Sequence, residues 1–283
     1  PSKIINGESI SGKSLSDPRG LFVYNDSKIY ILDSGNKKIE VIDSDFQYIK
    51  TIQIKDSENN NLDVGIMRDI FISEEGLIYL TDPDNSRVII ADQTGVVKSF
   101  IEKPVTNLVT EDIEFLPMKV LADRSGNIYV LARGYFQGAL MYDHSGRFIG
   151  FFGSNRIDLT ANVLRDFFWK NILTYEQRLG RERYVPIEYS GFDIDENNFI
   201  YTCSASENVS AGQRIRKLNA LSIDILRDKT FGQLDNIWYR GSIKTSRFID
   251  INVDKNKFIN ALDSEYGRIY QYDELGNLLF IFG

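Results

Sequence analysis

The chain has 283 residues, 42% of them hydrophobic and 12% aromatic, enough apolar material to fill a sizeable core, which excludes a disordered chain. Its 33 Lys and Arg against 40 Asp and Glu leave a net charge of −7, so DNA or other nucleic acid held by a wholly basic surface is excluded as well. The one cysteine, Cys203, rules out an internal disulfide, and no apolar run reaches the length of a membrane span.

Residues 1–17 place Ile4, Ile5 and Ile10 among Gly and Ser, and Lys3 to Asn6 is a candidate strand for closing a sheet elsewhere in the chain. From residue 18 onward, short apolar runs alternate with polar turns, most clearly over 67–101. There, strands at 69–72, 77–81, 88–91 and 96–101 are separated by Glu75-Gly76, by Asp82-Pro83-Asp84-Asn85 and by the hairpin Asp92-Gln93-Thr94-Gly95. One antiparallel sheet of that size is not stable alone and must stack on others. Four tyrosines at the same place in the second strand, Tyr30, Tyr79, Tyr129 and Tyr201, with Asn260 in the fifth slot, mark copies at spacings of 49, 50, 72 and 59 residues. Four strands per repeat at such a period predict an all-β fold, a β-propeller, in one domain over 1–283. Its five recognisable blades lie at about 18–52, 67–101, 117–153, 189–226 and 247–283.

The connections between blades, roughly 53–66, 102–116, 154–188 and 227–246, are long, and long loops in a compact fold more often carry function than not. In the third, Leu159, Val163 and Phe167, with Leu164, Phe168 and Ile172, follow helical spacing; a helix over 161–173 capped by Thr160 is expected within an insert at about 158–184. Phe167, Phe168 and Trp169 cannot all face one way, and Trp169 is the one expected to stay open to a partner or a sugar ring.

Alternate positions along the innermost strands separate an apolar face, such as Ile70 with Ile72, from a face that carries Asp69, Lys119, Asp193, Asp250 and Asn252. Asp193, Asp250 and Asn252 supply oxygen donors suited to a hard divalent cation such as calcium; the competing reading is a solvated lining with internal ion pairs, Lys119 with Asp69 for example. Arg19, Arg68, Lys119 and Arg247 stand near the starts of inner strands, where a basic ring would meet an anionic ligand. His144 is the only histidine and falls in the turn Asp143-His144-Ser145-Gly146, which excludes zinc sites built from several histidines, and no catalytic residue is assigned. Cys203, at the end of a buried-looking strand, is expected to be a small core residue.

Three blades share an Asp closing the second strand and a base five positions on: Asp33 with Lys38, Asp82 with Arg87 and Asp263 with Arg268. With this hallmark the repeats resemble the NHL repeat of six-bladed, TolB-like propellers, including bacterial extracytoplasmic members; Arg133 and Ser204 break the pattern in the third and fourth blades. A charge-assisted staple between Asp and base is the expected reason for the pairing. The resemblance implies six blades, so either five close the ring or a sixth lies beyond this sequence, the second being preferred. It implies a non-catalytic scaffold that engages a protein or carbohydrate through the loop face and the insert, outside the cytoplasm or at a cell surface. Since the chain opens on Pro1-Ser2, an anchor or leader ahead of it is expected. A lactonase-like, metal-dependent hydrolase or lyase and a binder of single-stranded RNA are the alternatives the same resemblance allows.

Overall fold

In the computed structural model the described residues are 14–109, 112–153, 188–206, 209–232 and 245–283, with residues 10 and 12 and the backbone at 238–239 and 242–243. The helix expected over 161–173, the whole 158–184 insert with Trp169, and the strand expected at 3–6 lie outside them.

The first blade is β1 (Pro18–Tyr24), β2 (Lys28–Asp33), β3 (Lys38–Asp43) and β4 (Tyr48–Gln53), and the second β5 (Ile70–Ile72), β6 (Ile78–Asp82), β7 (Arg87–Ala91) and β8 (Val97–Glu102). The third is β9 (Pro117–Ala122), β10 (Ile128–Ala132), β11 (Ala139–Tyr142) and β12 (Phe148–Phe152). Each is an antiparallel meander in sequence order. The fourth blade has β13 (Gly191–Ile194), β14 (Ile200–Cys203) and β15 (Ile215–Leu218). Its fourth strand survives only as an isolated bridge, Leu218 with Asp224. The cause is local: the Asn219 side chain accepts the N–H groups of Leu221 and Ile223, and Asp224 accepts those of Lys217 and Leu226, which curls the chain away from a ladder. A two-residue hairpin, β16 (Trp238–Tyr239) with β17 (Ser242–Ile243), stands in the fourth connection. The fifth blade is β18 (Phe248–Val253), β19 (Ile259–Asp263), β20 (Arg268–Tyr272) and β21 (Leu278–Phe282).

The tight hairpins share one device. Asp92, Asp123, Asp143, Asp195, Asp254 and Asp273 each turn Oδ1 back to accept the N–H groups two and four residues on. The residue three on takes a positive φ, as in Gly95 at 91° and Gly126 at 81°, and this is why glycine recurs there.

The chain forms two compact bodies, residues 1–134 with 140–150, and 135–139 with 151–283. In the first body, Tyr30, Leu32, Ile39, Val41 and Ile52 of blade one pack with Ile70, Ile72, Ile78, Leu80 and Ile89 of blade two. In the second, Tyr201, Cys203 and Ile215 of blade four pack with Ile251, Ile259, Ala261, Tyr270 and Tyr272 of blade five. Within each body an apolar face of one blade thus packs on an apolar face of the next, which is how repeats too small to fold alone become stable together. Cys203 is buried at 1% exposure, as a small core residue should be.

Candidate functional site

The inner strands spend their carboxylates on the neighbouring blade. Asp69 Oδ2 accepts the backbone N–H of Val120 at 3.0 Å while its Oδ1 stands 3.5 Å from Lys119 Nζ, the internal ion pair foreseen from the alternation of side chains. In the second body, Asp193 Oδ2 accepts the N–H of Val253 at 2.8 Å and the Asn252 side-chain amide at 2.9 Å; its Oδ1 accepts the N–H of Ile194. Both aspartates latch an inner strand to the next inner strand, and a ladder of this kind never arises inside one sheet. Asp250 Oδ1 accepts the N–H of Ile251. Gly191 is a glycine because a Cβ there would lie 2.8 Å from Asp250 Oδ1 and 2.9 Å from its Cα, so the two strands meet almost backbone to backbone.

For the candidate metal donors this geometry is informative. Asp193 and Asn252 are brought together as acceptor and donor rather than as two oxygens converging on a point, and the oxygen Asp193 turns to Asn252 already receives two N–H groups. Among the described residues no group of three His, Cys, Asp or Glu side chains is placed to hold a metal ion.

The candidate basic residues have separate attachments. Arg19 forms a two-point contact with Asp17, 2.8 Å from Nε and 2.7 Å from Nη2, and Lys119 faces Asp69. Arg68 is half-buried, and its Nε is buried without a hydrogen-bond partner. Arg247, in the second body, is exposed, with Nε donating to the Ala205 carbonyl at 3.3 Å. Trp169 lies outside the described residues. His144 is exposed on its hairpin, as its turn sequence indicates.

The Asp that closes the second strand does more than pair with a base. Asp82, fully buried, accepts the N–H of Gly65 at 3.0 Å with Oδ1, and with Oδ2 the Asn85 amide at 2.9 Å and Arg87 Nε at 3.0 Å. Asp33 repeats the clasp on Ser16 N and Asn36. Lys38, however, sits closer to Glu40, at 2.5 Å, than to Asp33, at 3.7 Å. Asp263 accepts the N–H groups of Arg247 and Glu265, and Arg268 lies over the Tyr266 ring at 5.1 Å. The staple of Asp to base is a direct hydrogen bond in blade two and a longer ion pair in blade one. What recurs is an Asp that grips the backbone arriving at the inner strand. An Asn three positions after the Asp, in Asp33-x-x-Asn36 and Asp82-x-x-Asn85, was the sequence signal for it.

Among the described residues, one concavity lies in the first body, between the outer strands of blades two and three. It is a cleft of about 480 Å3 whose walls include Phe100, Lys103, Val105, Tyr142, Arg147 and Phe148. The Tyr142 hydroxyl donates to the Glu102 carbonyl at 3.2 Å, fixing the floor, and the Arg87 guanidinium lies 4.9 Å over Phe100. Val105, on the second connection, is wholly exposed at 104%; Leu108 on the same connection is 59% exposed and Ile66 on the first 39%. Nothing in the alternation of apolar and polar residues marks these three, because loops carry no period.

No protein-family model and no curated protein sequence matches the chain. Solved structures do. Virginiamycin B lyase from Staphylococcus aureus aligns over 97% of this chain and 72% of its own at a TM-score of 0.56 and 12% identity. A protein of unknown function from Bacteroides caccae aligns over 95% and 84% at 0.53 and 10%, and a structure of the nidogen/laminin complex over 95% and 80% at 0.53 and 13%. The fold is a β-propeller. Identities this low speak for the fold alone, and propellers of one architecture serve both catalysis and binding.

Proposed function

We propose that this propeller is a non-catalytic binding scaffold of NHL type that engages a protein or carbohydrate ligand through its blade connections, outside the cytoplasm or at a cell surface. The observation that carries the reading is the second connection, which holds Val105 and Leu108 out in solvent at 104% and 59% exposure beside an aromatic-walled cleft. Apolar side chains held in water on a folded loop are stabilised when a partner covers them. The carboxylates of the inner strands, by contrast, are already committed to Val120, Lys119, Val253 and Asn252. A photo-crosslinking residue placed at 105 or 108 in the cells that make the protein should trap one defined partner, and the same residue at the exposed Lys98 should not. Equal trapping at all three positions would overturn the reading.

The second reading, a metal-dependent lyase or hydrolase working from the inner strands, is favoured by the likeness to virginiamycin B lyase over 97% of the chain. A related structure is described as a catalytically inactive histidine-to-alanine variant, with quinupristin. Here the single histidine, His144, is exposed on a blade hairpin. Binding of a cation to the folded state alone must raise the melting temperature. A shift with calcium that is reversed by chelator and lost in Asp250→Ala would put this reading ahead of the scaffold; no shift with any divalent cation is the expected result.

A further inference from the structure

Each inner strand of the first body carries one extra residue at the same place. Asp33 and Leu32 of β2 pair with Pro18 and Gly20, which leaves Arg19 out of the ladder; Ala132 and Leu131 of β10 pair with Pro117 and Lys119, which leaves Met118 out. Blade two does the same just ahead of β5, where Thr81 answers two residues: its carbonyl accepts the N–H of Arg68, and its own N–H donates to the Asp69 carbonyl. Such a bulge re-aims the side chain it carries. In blades one and two that side chain is an arginine. In blade three it is Met118, and Arg133, the residue that follows β10, brings Nη2 to 4.0 Å from Met118 Sδ. The three places are neighbours. A Cβ on Gly20 would lie 3.3 Å from Ile70 N, and Asp69 Oδ2 takes the N–H of Val120 at 3.0 Å. Three guanidinium groups thus stand at the entrances of three successive inner strands.

The acids of this rim are already engaged, Asp17 by Arg19 in a two-point contact and Asp69 by Val120 and Lys119. Among the described residues neither Arg68 nor Arg133 has a carboxylate partner, and the Arg68 Nε is buried without an acceptor. A buried donor left unmade costs stability, and an arriving acceptor recovers it. We propose that this rim binds a small ligand through its phosphate group, with Arg68 and Arg133 as the donors. A carboxylate has two oxygens, which the fork of one guanidinium takes up; two forks brought from two blades suit an anion that offers three. The rim is separate from the cleft at the second connection and does not rest on it.

Inorganic phosphate is the probe. Melting temperature and titration calorimetry are read in phosphate and in chloride at matched ionic strength, so that screening alone gives no difference. The unaltered chain should melt higher in phosphate. Arg68→Gln and Arg133→Gln should each weaken phosphate binding by roughly 10-fold or more, the value of one charge-assisted hydrogen bond. Both variants should melt as the unaltered chain does in chloride; if one is destabilised there, the calorimetric constant of the other decides. Arg124→Gln, whose guanidinium donates to Glu74 at 2.7 Å, should bind phosphate as the unaltered chain does. No difference between phosphate and chloride, or an unchanged constant in Arg68→Gln and Arg133→Gln, would overturn the proposal. Binding of a single-stranded oligonucleotide at low salt with no response to inorganic phosphate would overturn it as well, and would give the rim to a nucleic-acid backbone.

Discussion

Replacing Asp82 by Ala tests whether the recurrent aspartate is an ion-pair partner or a clasp on the backbone. Asp82 has no exposed surface and accepts three donors: Gly65 N, Asn85 Nδ2 and Arg87 Nε, at 3.0, 2.9 and 3.0 Å. All three end on the carboxylate, and bonds to a charged group contribute about 1.5–3 kcal/mol each, so removal should cost about 4 kcal/mol or more. Arg87 has other attachments, donating to the Asp63 carbonyl from Nη2 at 2.6 Å and lying over Phe100. Arg87→Ala leaves the hydrogen bonds of Asp82 to Gly65 and Asn85 in place, so it should cost about 1–2 kcal/mol. Urea unfolding of the two variants, with the slope unchanged, gives both numbers from the shift in midpoint. If Arg87→Ala costs as much as Asp82→Ala, or Asp82→Ala costs under 1 kcal/mol, the ion pair is the main term and the clasp is wrong.

Gly191→Ala should lower stability by about 1–3 kcal/mol, since the new Cβ would meet Asp250 Cα at 2.9 Å and backbone cannot step aside. Gly20→Ala, whose nearest neighbour is the Ile70 Cγ2 methyl at 3.0 Å, should cost less in the same urea assay. Lys217 is buried between the Phe199 and Tyr201 rings, 4.8 and 5.4 Å away, and pairs with the half-exposed Glu274 at 3.0 Å. Removing the exposed partner by Glu274→Ala should cost about 1–2 kcal/mol, more than Lys217→Met, which keeps the packing and leaves no buried charge; equal losses would refute this. The Ser145 hydroxyl first, and then the Arg147 N–H, hold the Asp143 carboxyl down at about 2, below its ordinary 3.8. A depressed carboxylate stabilises above the unfolded value and loses that contribution as pH falls through the folded one. Melting temperature should therefore fall less steeply in Asp143→Asn than in the unaltered chain between about pH 4 and 2.

The blades were legible because a sheet buried on both faces must be apolar in a fixed phase, and five repeats in one phase admit few alternatives. The latches were not. Asp69 binds an N–H 51 residues away and Asp193 one 60 residues away, and a backbone donor leaves no mark in a sequence. Period two correctly put Asp69, Lys119, Asp193 and Asn252 on one side of their strands, yet the side of a strand says nothing about which atom meets which. Asp193 and Asn252, written on the same side of neighbouring inner strands, are joined here as acceptor and donor, a bond between blades that the alternation alone does not specify. The same limit acts on the apolar faces. Leu21 and Val23 are written in the same alternation as Ile70 and Ile72, yet they are 65 and 51% exposed where Ile70 and Ile72 are 3% exposed each. In a repeat protein the sequence of a blade specifies both of its faces, while coverage of each face belongs to the neighbour. The residues that carry interaction are therefore to be sought where a connection holds out Val105.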